Sequence, residues 1–367
     1  MAERIERLAE RVSAAGVDWL LVSAPLNVRW LTGFTGSNGV ALCPADPTNP
    51  TVLLTDFRYT EQAAEQSGGD WKVVIASNDL LGAGLADNFP ASGAAGSDLC
   101  SVGFDDTHVT VAQLGTLRAA LEGQADLEAV SGDVEELRVI KSSAEVEKIR
   151  AAAELADQAM LELLDGGLIG RTEVELAMAL EFGMRSRGAE AVSFPPIVAS
   201  GAHGALPHAE PRGVVVEAGQ MVTIDWGAQL DGYCSDCTRT YFAGHVEEDL
   251  LSVYELVLEA QQAACAAVKP GPTGRELDLV AREIIEAAGY GDNFGHGLGH
   301  GVGLDIHEAP RLSRHGDRPM QPGMIVTVEP GVYVAGQCGV RIEDLLLVTQ
   351  DGSERLNGLP VEPNVVS

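Results

Sequence analysis

Apolar residues near the start of the chain follow first a helical and then a strand-like spacing. Ile5, Leu8 and Val12 recur every three or four residues with charges between them, which predicts an amphipathic helix. The unbroken apolar run Trp19–Val22 comes next and predicts a buried strand. Similar patterns predict strands at Val40–Cys43 and Thr51–Leu54, and helices at Phe57–Gln66 and Val111–Leu121. The alternation of helices and strands indicates a small α/β domain.

Two stretches of this region show no clear period and are interpreted as loops. The segment NVRWLTGFTGSNG (27–39) is rich in glycine, but it matches neither a phosphate-binding nor a dinucleotide-binding fingerprint. We interpret it as a turn-rich connector. Residues 79–100 are rich in Gly, Ala, Ser and Asp and also predict a loop.

The pattern changes in the middle of the chain. Ser142 and Glu145 form the capping-box pattern that often starts a helix. An alanine-rich stretch with helical spacing from Ile149 onward then predicts a long helix. We place a domain boundary just before it, which gives a domain at 1–135 and a second domain at 136–367.

The second domain contains an internal repeat. Residues 170–188 match residues 271–289 without a gap at an offset of 101, and residues 219–227 match residues 323–331 at an offset of 104. Each half is predicted to consist of helices followed by a strand and a hairpin. Two such halves are expected to pack as a pseudo-twofold pair with both hairpins facing one cleft.

The first hairpin carries two acidic residues. Asp231 and Gly232 form a strong signal for a two-residue turn, which would pair Asp225 with Thr238. Asp236 then shares a face of the sheet with Asp225 as its diagonal neighbour. Two carboxylates this close repel each other unless they are protonated or bridged by a cation. A surface hairpin with two solvated acids is the alternative interpretation of this stretch.

The second hairpin carries two glutamates. Glu329 and Glu343 lie at equal distances from Gly336, where the chain can reverse, so they can face each other across the strands. The repeat places Glu329 at the position of Asp225. Together with Asp236, these residues put four carboxylates in one predicted cleft, which implies bound cations.

Four of the eight histidines lie in two short segments that precede the acidic hairpins. His208 lies in PHAEP, and His296, His300 and His307 lie in the glycine-rich segment 294–310. The glycines and the absence of an HExxH pattern argue against a zinc-protease helix. Glycine instead lets the backbone turn sharply and bring imidazoles inward.

Four carboxylates and about one imidazole form an oxygen-rich set of ligands. Such a set favours two Mn²⁺ ions, with Co²⁺ or Zn²⁺ as alternatives. Two ions that share carboxylates would lie ~3.5–4 Å apart, and a water between them could lose a proton near neutral pH. We therefore expect a hydroxide that bridges the metals and attacks a carbonyl carbon.

Charge and composition narrow the classes of partner. The net charge of −30 argues against binding the phosphate backbone of nucleic acids and suits a soluble protein. The six cysteines are scattered, and the zinc-like spacing of Cys234 and Cys237 lacks a second cysteine pair. The first residues lack the apolar core of a signal peptide, and no uncharged apolar run reaches the ~18 residues of a membrane span. We expect a cytoplasmic protein with reduced thiols and no membrane partner.

The motifs of the second domain resemble those of the pita-bread metallopeptidases, in the branch of aminopeptidase P and prolidase. The resemblance covers roughly residues 140–350 and rests on LPHAEP, TIDWGAQLDGYCSDCTRT, GHGLGHGVGLDIHEAP, TVEPGVY and GVRIED. The first domain resembles the creatinase-like N-terminal domain of this branch through NVRWLTGF and LLTDFRYTEQA. The implied fold is α+β, with a smaller α/β creatinase-like domain before a pita-bread catalytic domain that has a pseudo-twofold duplication. The resemblance also implies a homodimer.

The same resemblance implies roles for individual residues. The implied metal ligands are Asp225, Asp236, His300, Glu329 and Glu343, and both ions would share Asp236 and Glu343. The implied catalytic residues are His208, His296, His307, Arg341 and Glu329, the last of which would also carry a proton to the leaving nitrogen. The substrate-binding candidates are His203, Tyr333 and Arg311. The branch commonly has an asparagine at the position of His203.

The expected activity is that of aminopeptidase P: hydrolysis of the bond between an N-terminal residue and a following proline in small peptides. The alternative is a prolidase restricted to Xaa-Pro dipeptides, which needs a cation for the free carboxylate. Arg311, Arg314 and Arg318 follow His307 and could supply that cation, or could be ordinary surface residues. A non-catalytic binding module on the same fold is a third hypothesis, which the presence of all five implied ligands disfavours.

Overall fold

The structure is a computed structural model that describes residues 2–89 and 99–367. It divides into two compact units, Met1–Arg138 and Val139–Ser367, and each is described by itself. Residues 90–98, which belong to the loop predicted at 79–100, lie outside the described residues. Within the described ranges, no helix is both long enough and apolar enough to cross a membrane.

The first unit is an α/β domain built on a mixed sheet. Its described strands are β1 (Trp19–Val22), β2 (Gly39–Pro44), β3 (Val52–Asp56), β4 (Lys72–Ala76), β5 (Cys100–Asp105) and β6 (Ala125–Val130). Its described helices are α1 (Ala2–Ala14), α2 (Pro25–Thr32), α3 (Thr60–Gln66), α4 (Leu85–Asn88), α5 (Val111–Ala120) and α6 (Asp133–Arg138). The strand order is β4-β3-β2-β1-β5-β6, and β2 is antiparallel to both of its neighbours. The predicted strands and helices are confirmed, although a 3₁₀ turn at Phe57–Tyr59 precedes α3.

The connector predicted at 27–39 is wrong over its first half, because α2 occupies it. Pro25 lies in the first turn of this helix, where its fixed φ suits a helix and its missing N–H costs nothing. Val28 and Leu31 are buried on one face. Gly33, with φ of 78°, ends the helix in the left-handed conformation. The helix is short, and the glycines that follow it made the whole segment look like a loop.

The loop predicted at 79–100 is also wrong where the structure describes helices. A π-helix spans Leu80–Gly84 and α4 follows it directly. Asp79 caps the start of the π-helix by accepting a hydrogen bond from the Gly82 N–H. Leu85 is buried in the core of the unit. Burial of a few leucines therefore outweighs the weak helical propensity of a glycine-rich stretch.

The second unit contains long helices and several small sheets. Its described helices are α7 (Ser143–Asp165), α8 (Glu173–Ser186), α9 (Glu248–Ala267) and α10 (Gly274–Ala287). The strands of its first half are β7 (Ala191–Val192), β8 (Ile197–Ser200), β9 (Met221–Trp226), β10 (Ala228–Leu230), β11 (Tyr233–Cys234) and β12 (Cys237–Ala243). Those that follow are β13 (Gly299–Gly301), β14 (Glu308–Leu312), β15 (Ile325–Val328), β16 (Gly331–Val334), β17 (Cys338–Arg341), β18 (Asp344–Val348), β19 (Ser353–Arg355) and β20 (Val365–Val366). The sheet orders are β11-β10-β7, β20-β12-β9-β8, β14-β13-β15-β18-β19 and β16-β17.

The first acidic hairpin has the register that its turn predicts. Leu230 pairs with Tyr233, and Asp225 pairs with Thr238. The two turn residues between them have φ values of 49° and 83°. Positive φ at both positions is what a two-residue turn needs to match the twist of the strands, and an Asp-Gly pair tolerates it. The prediction of this hairpin is confirmed.

The second acidic hairpin keeps its predicted symmetry about Gly336. Near the turn β16 pairs with β17, and farther from it β15 pairs with β18. Both ladders share one register, in which Val328 pairs with Asp344. Glu329 and Glu343 lie in the gap between the two ladders. The backbone of this gap bonds elsewhere, since the Glu343 N–H donates to Thr238 O at 3.1 Å in the first hairpin.

The duplication of the second unit is visible in its hydrogen bonds. Thr172 caps α8 and Thr273 caps α10, each with a complete capping box. Each threonine also forms an isolated antiparallel bridge, to Val215 and to Pro319 respectively. The caps are 101 residues apart and their bridge partners are 104 apart, which are the two offsets of the sequence repeat. The predicted α+β architecture with a duplicated second domain is confirmed.

Candidate metal centre

The four predicted carboxylates line one cavity of about 600 Å³ in the second unit. Asp225 lies near the end of β9 and Asp236 just before β12, whereas Glu329 follows β15 and Glu343 precedes β18. Asp225 is paired within its sheet, whereas Asp236, Glu329 and Glu343 lie just outside the paired strands. The two hairpins therefore bring together the acids that the sequence placed in one cleft.

His300 joins this cluster from the short strand β13. Its Nε2 lies 3.6 Å from Asp236 Oδ2 and 3.3 Å from Glu329 Oε1. Its Nδ1 lies 3.1 Å from the carbonyl oxygen of Gly301, so the proton on Nδ1 donates to that oxygen and the Nε2 lone pair faces the acids. Burial lowers the pKa of His300 to about 3, which keeps the ring neutral and able to bind a metal.

The electrostatics of the cluster test whether these residues fit divalent cations. Burial, reinforced by the neighbouring acids, raises the pKa of Asp236 and of Glu343 well above the usual range. Asp225 Oδ1 and Glu343 Oε1 are buried and accept no hydrogen bond from the part of the chain that the structure describes. One ligand atom each of Asp236, His300 and Glu343 lies within 4.8 Å of the others. Orphaned carboxylate oxygens around a neutral imidazole are the donor set that hard divalent cations require.

Two threonines that the sequence reasoning missed hold the ligands in place. The Thr238 hydroxyl donates to Glu343 Oε2 at 2.7 Å, and the Thr327 hydroxyl lies 3.2 Å from Glu329 Oε1. Thr327 also accepts a hydrogen bond from the His300 N–H at 3.0 Å. Both threonines stand two residues from a ligand on the same strand face, a spacing that could have identified them.

Arg341 supplies the counter-charge of the cluster. Its buried guanidinium donates from Nη2 to Asp225 Oδ2 at 2.6 Å and from Nη1 to the Tyr333 hydroxyl at 2.8 Å. The Tyr333 hydroxyl lies 2.9 Å from His296 Nε2 and is free to donate to it. Burial lowers the pKa of His296 to about 4, so its ring is neutral and can accept this bond. Tyr333 thus lies behind the cavity wall, between two predicted catalytic residues.

His208 and His307 lie on the exposed wall of the cavity. The ring of His307 packs edge-on against His300 with centroids 4.5 Å apart. Arg311 lines the same cavity and pairs with His300 across β13 and β14. Its guanidinium is exposed and forms neither an ion pair nor a hydrogen bond with the residues described by the structure. The cavity therefore holds both the acidic cluster and a cation that has no partner among the described residues.

The structure does not bring His203 to the cavity, so the prediction that it contacts substrate is not supported. Its ring is buried, and Nδ1 lies 3.0 Å from Glu173 Oε2 at the start of α8. The motif showed which residue departs from the family pattern but not which way its side chain points. The thiols of Cys234 and Cys237 donate to different backbone carbonyls, of Leu304 and of Glu343, and neither cysteine forms a disulfide.

An apolar part of the cavity wall was not predicted. Phe194, Pro195, Pro196 and Ile197 line the cavity together with Ile306. A consecutive pair of prolines after an aromatic residue is the only signal that the sequence offered, and on its own it predicts a turn. This apolar wall can contact an uncharged ring of a ligand that binds beside the polar residues of the cavity.

Comparison with protein-family models finds two matches. Residues 147–350 match the model of metallopeptidase family M24. Residues 4–140 match the model of the creatinase/prolidase N-terminal domain. The two matches follow one another along the chain in the order that the sequence motifs implied.

Known proteins resemble this chain over nearly its full length. The Xaa-Pro dipeptidase of Pyrococcus furiosus is 35% identical over 371 residues, which cover 97% of this chain and 98% of that protein. The solved structure of an Xaa-Pro dipeptidase from Bacillus anthracis has a TM-score of 0.91 at 38% identity, covering 100% of this chain and 99% of that one.

An X-Pro aminopeptidase from Thermotoga maritima is also similar in structure. Its TM-score is 0.86 at 36% identity, covering 97% of this chain and 100% of that chain. The resemblance inferred from the motifs is confirmed. The chain belongs to metallopeptidase family M24 and carries a creatinase/prolidase N-terminal domain.

Proposed function

We propose that this protein is an Xaa-Pro dipeptidase that hydrolyses the bond between an N-terminal residue and a C-terminal proline. The observation that carries this proposal is the exposed guanidinium of Arg311, which has no hydrogen-bond or ion-pair partner among the described residues and lines the same cavity as the four carboxylates. A dipeptide has an ammonium and a carboxylate a short distance apart, which matches this distribution of charge. The dipeptidase names of two similar proteins support it as well. The dipeptidase therefore replaces the longer-peptide aminopeptidase as the leading function.

The choice of Arg311 rests on what its two neighbours do. Arg314 lies outside the cavity and its guanidinium is 3.8 Å from Glu286 Oε1. Arg318 also does not line the cavity. Of the three arginines that the sequence offered, Arg311 alone combines a place on the described cavity wall with a guanidinium that has no partner among the described residues. Bidentate binding of a carboxylate is the task for which a planar guanidinium is suited.

The proposed metal ligands are the five residues that the sequence motifs implied. Asp225, Asp236, His300, Glu329 and Glu343 would hold two divalent ions, with Asp236 and Glu343 shared between them. The excess of oxygen donors favours Mn²⁺ over the softer ions. Divalent ions in such a centre supply Lewis acidity and make water reactive near neutral pH.

The side chains around the centre would bind and orient the dipeptide. Arg311 holds the proline carboxylate, and the carboxylates of the cavity attract the ammonium. His208 and His307 offer N–H donors to the scissile carbonyl oxygen, where negative charge develops. Glu329 takes a proton from the attacking water and delivers it to the proline nitrogen as the bond breaks. The apolar wall excludes water from the proline ring.

Peptides of different length test this function. The purified enzyme should hydrolyse Xaa-Pro dipeptides with Mn²⁺, and should be much slower with Xaa-Pro-Xaa tripeptides because their proline carboxylate is blocked. Co²⁺ and Zn²⁺ assayed in parallel identify the preferred ion. Equal or faster tripeptide hydrolysis would establish an aminopeptidase, the second candidate, which the similarity to the Thermotoga maritima enzyme favours. Turnover that survives Asp236→Ala would refute the assignment of the shared ligand.

We further propose a homodimer that acts in the cytoplasm. The support is the creatinase/prolidase N-terminal domain, which the family resemblance associates with dimers, and a full set of free cysteines. Light scattering of the purified protein measures the assembly directly. A monomeric mass at micromolar concentration would reject the dimer.

A further inference from the structure

Glu173 is a buried carboxylate that the proposed chemistry does not use. It is the first residue of α8 and is completely buried. The backbone N–H and the hydroxyl of Ser200 both donate to its Oε1 at 2.8 Å, and the Arg212 N–H donates to its Oε2 at 2.9 Å. One side chain thus receives bonds from the residue before and from the last residue of the segment 201–212, which we call the His208 loop.

His203 adds a bond from inside this loop. Its Nδ1 lies 3.1 Å and 3.0 Å from the two carboxylate oxygens of Glu173, so the Nδ1 proton donates to them. The imidazole side chain is only 5% exposed. A charge-assisted bond buried in this way is stronger than one on the surface and fixes the geometry of both partners.

The duplicated half has direct backbone packing where Glu173 and His203 stand in the first half. Glu173 corresponds to Gly274 at the start of α10, at the repeat offset of 101. A Cβ placed on Gly274 would lie 2.1 Å from the carbonyl oxygen of Arg311, so in that half the cavity-lining segment packs directly on the helix. In the first half the space between the helix and the loop is occupied by a carboxylate and an imidazole. The two halves attach equivalent segments by different means.

The middle of the His208 loop contacts the metal centre. Arg341 Nη1 donates to the carbonyl oxygen of Pro207 at 3.2 Å. A Cβ placed on Gly339 would lie 1.7 Å from Gly204 O, so the loop lies directly against β17. Pro207 and His208 both line the cavity. A shift of the loop would therefore move part of the substrate-binding wall.

We propose that His203, through its bond to Glu173, positions the His208 loop and thereby sets the affinity for the peptide substrate. His203 is in this view a positioning residue that touches neither the metals nor the substrate. The effect on substrate affinity rests on the proposed function, whereas the effect on the loop does not. We expect His203→Asn to preserve this clamp, the hydrogen bond of residue 203 to Glu173. The amide nitrogen of asparagine, like Nδ1 of histidine, is bonded to Cγ and can donate the same hydrogen bond to Glu173.

The test combines two measurements on three variants. Hydrogen exchange is measured in residues 201–212 of the metal-free protein, and KM and kcat are measured for an Xaa-Pro dipeptide with Mn²⁺. His203→Ala should speed exchange in the loop about tenfold and raise KM by a similar factor, with a small effect on kcat. His203→Asn should have the exchange rate in the loop and the KM of the unchanged protein. His245→Ala removes an exposed histidine that pairs with Glu247 at 2.9 Å, and serves as the matched control that changes neither.

A titration with Co²⁺ separates positioning from general stability. The proposal requires that His203→Ala binds Co²⁺ as tightly as the unchanged protein and exchanges faster only in the loop. Faster exchange throughout the unit, or weaker Co²⁺ binding, would show a merely structural residue and overturn it. Unchanged exchange, an unchanged KM or failure of the asparagine variant would overturn it too.

Two outcomes need separate treatment. If the alanine variant does not fold, His203→Leu replaces it, because leucine has about the size of asparagine but lacks the donor and adds no charge; asparagine must then outperform leucine in both measurements. If the unchanged protein hydrolyses no proline peptide, the proposed function fails, but the exchange experiment still accepts or rejects the clamp on the loop.

Discussion

Removing the metals should make the stability of the second unit depend strongly on pH. The perturbation is chelation of the purified protein, followed by dialysis against metal-free buffers from pH 5 to pH 8. Without cations, the cluster of Asp236, Glu329 and Glu343 must stay partly protonated, because burial raises the pKa of each carboxyl. Bound cations remove that requirement, so the loaded protein should show little dependence over the same range.

The magnitude follows from Glu329 alone. Its pKa rises from 4.5 to about 7, because burial and the nearby Asp225 disfavour its charged form. Below pH 4.5 the group is protonated in the folded and unfolded states and has no effect. Between pH 4.5 and pH 7 only the unfolded chain loses the proton, so the free energy of unfolding falls as pH rises. A pKa change of about 2.5 corresponds to about 3 kcal/mol of lost stability. The other two acids act in the same direction.

Urea unfolding monitored by circular dichroism measures this loss. Titration of Glu329 alone should cost the metal-free protein about 2–3 kcal/mol of unfolding free energy between pH 5 and pH 8, because part of the loss occurs below pH 5, and Mn²⁺ should restore it. Glu343→Gln should be more stable than the unchanged metal-free protein at pH 8 while binding Mn²⁺ poorly. Glu255→Gln, an exposed position in the same unit, is the control for removing one charge. A metal-free protein that is equally stable at both pH values would refute the reasoning about the buried acids.

Three further substitutions test individual contacts. Arg311→Ala should raise the KM for Xaa-Pro dipeptides about 10- to 100-fold in steady-state assays, as expected for losing a charge-assisted bond to the proline carboxylate, whereas Arg314→Ala should leave it unchanged. Thr238→Val should weaken Mn²⁺ binding about tenfold by calorimetry, because it removes the hydroxyl that donates to Glu343. Tyr333→Phe should lower the free energy of unfolding by about 1–3 kcal/mol in urea, because the buried Nη1 of Arg341 and the partly buried Nε2 of His296 both lose the hydroxyl as a hydrogen-bond partner.

The arrangement of the acids could be predicted because it depends on local rules. An Asp-Gly turn fixes the register of the first hairpin, and a period of two fixes which side chains share a face. These rules give the pairing of Asp225 with Thr238, and the structure has it. The second hairpin follows from its symmetry about Gly336 in the same way. The sequence repeat then predicts that the two hairpins face each other, so that their acids form one site.

Other features depend on contacts between distant segments and could not be predicted. The helix α2 forms because Val28 and Leu31 are buried, although the glycines beside it indicate a turn. The direction of the His203 ring is set by Glu173, which lies 30 residues away. The choice among three arginines needed the cavity, which Arg311 lines and Arg314 and Arg318 do not. The sequence contains these residues, but no short-range pattern connects them.

The two acidic hairpins are related by the repeat, yet they present their ligands differently. In the first, Asp225 pairs with Thr238, so Asp236 is offset by two residues; in the second, Glu329 and Glu343 are symmetric about the turn. The offset leaves a threonine where a carboxylate would otherwise stand.

That threonine serves the other half of the molecule. Thr238 accepts a hydrogen bond from Arg341 Nε at 3.0 Å and donates to Glu343 Oε2 at 2.7 Å, while Arg341 binds Asp225. Each hairpin thus holds a ligand of its partner, because Thr238 orients Glu343 and Arg341 orients Asp225. A first hairpin with the symmetry of the second would carry its second acid at position 238 instead of 236, which would leave four acids but remove the hydroxyl that connects the halves. The departure from symmetry therefore provides the hydroxyl through which the first hairpin orients Glu343 and accepts a bond from Arg341.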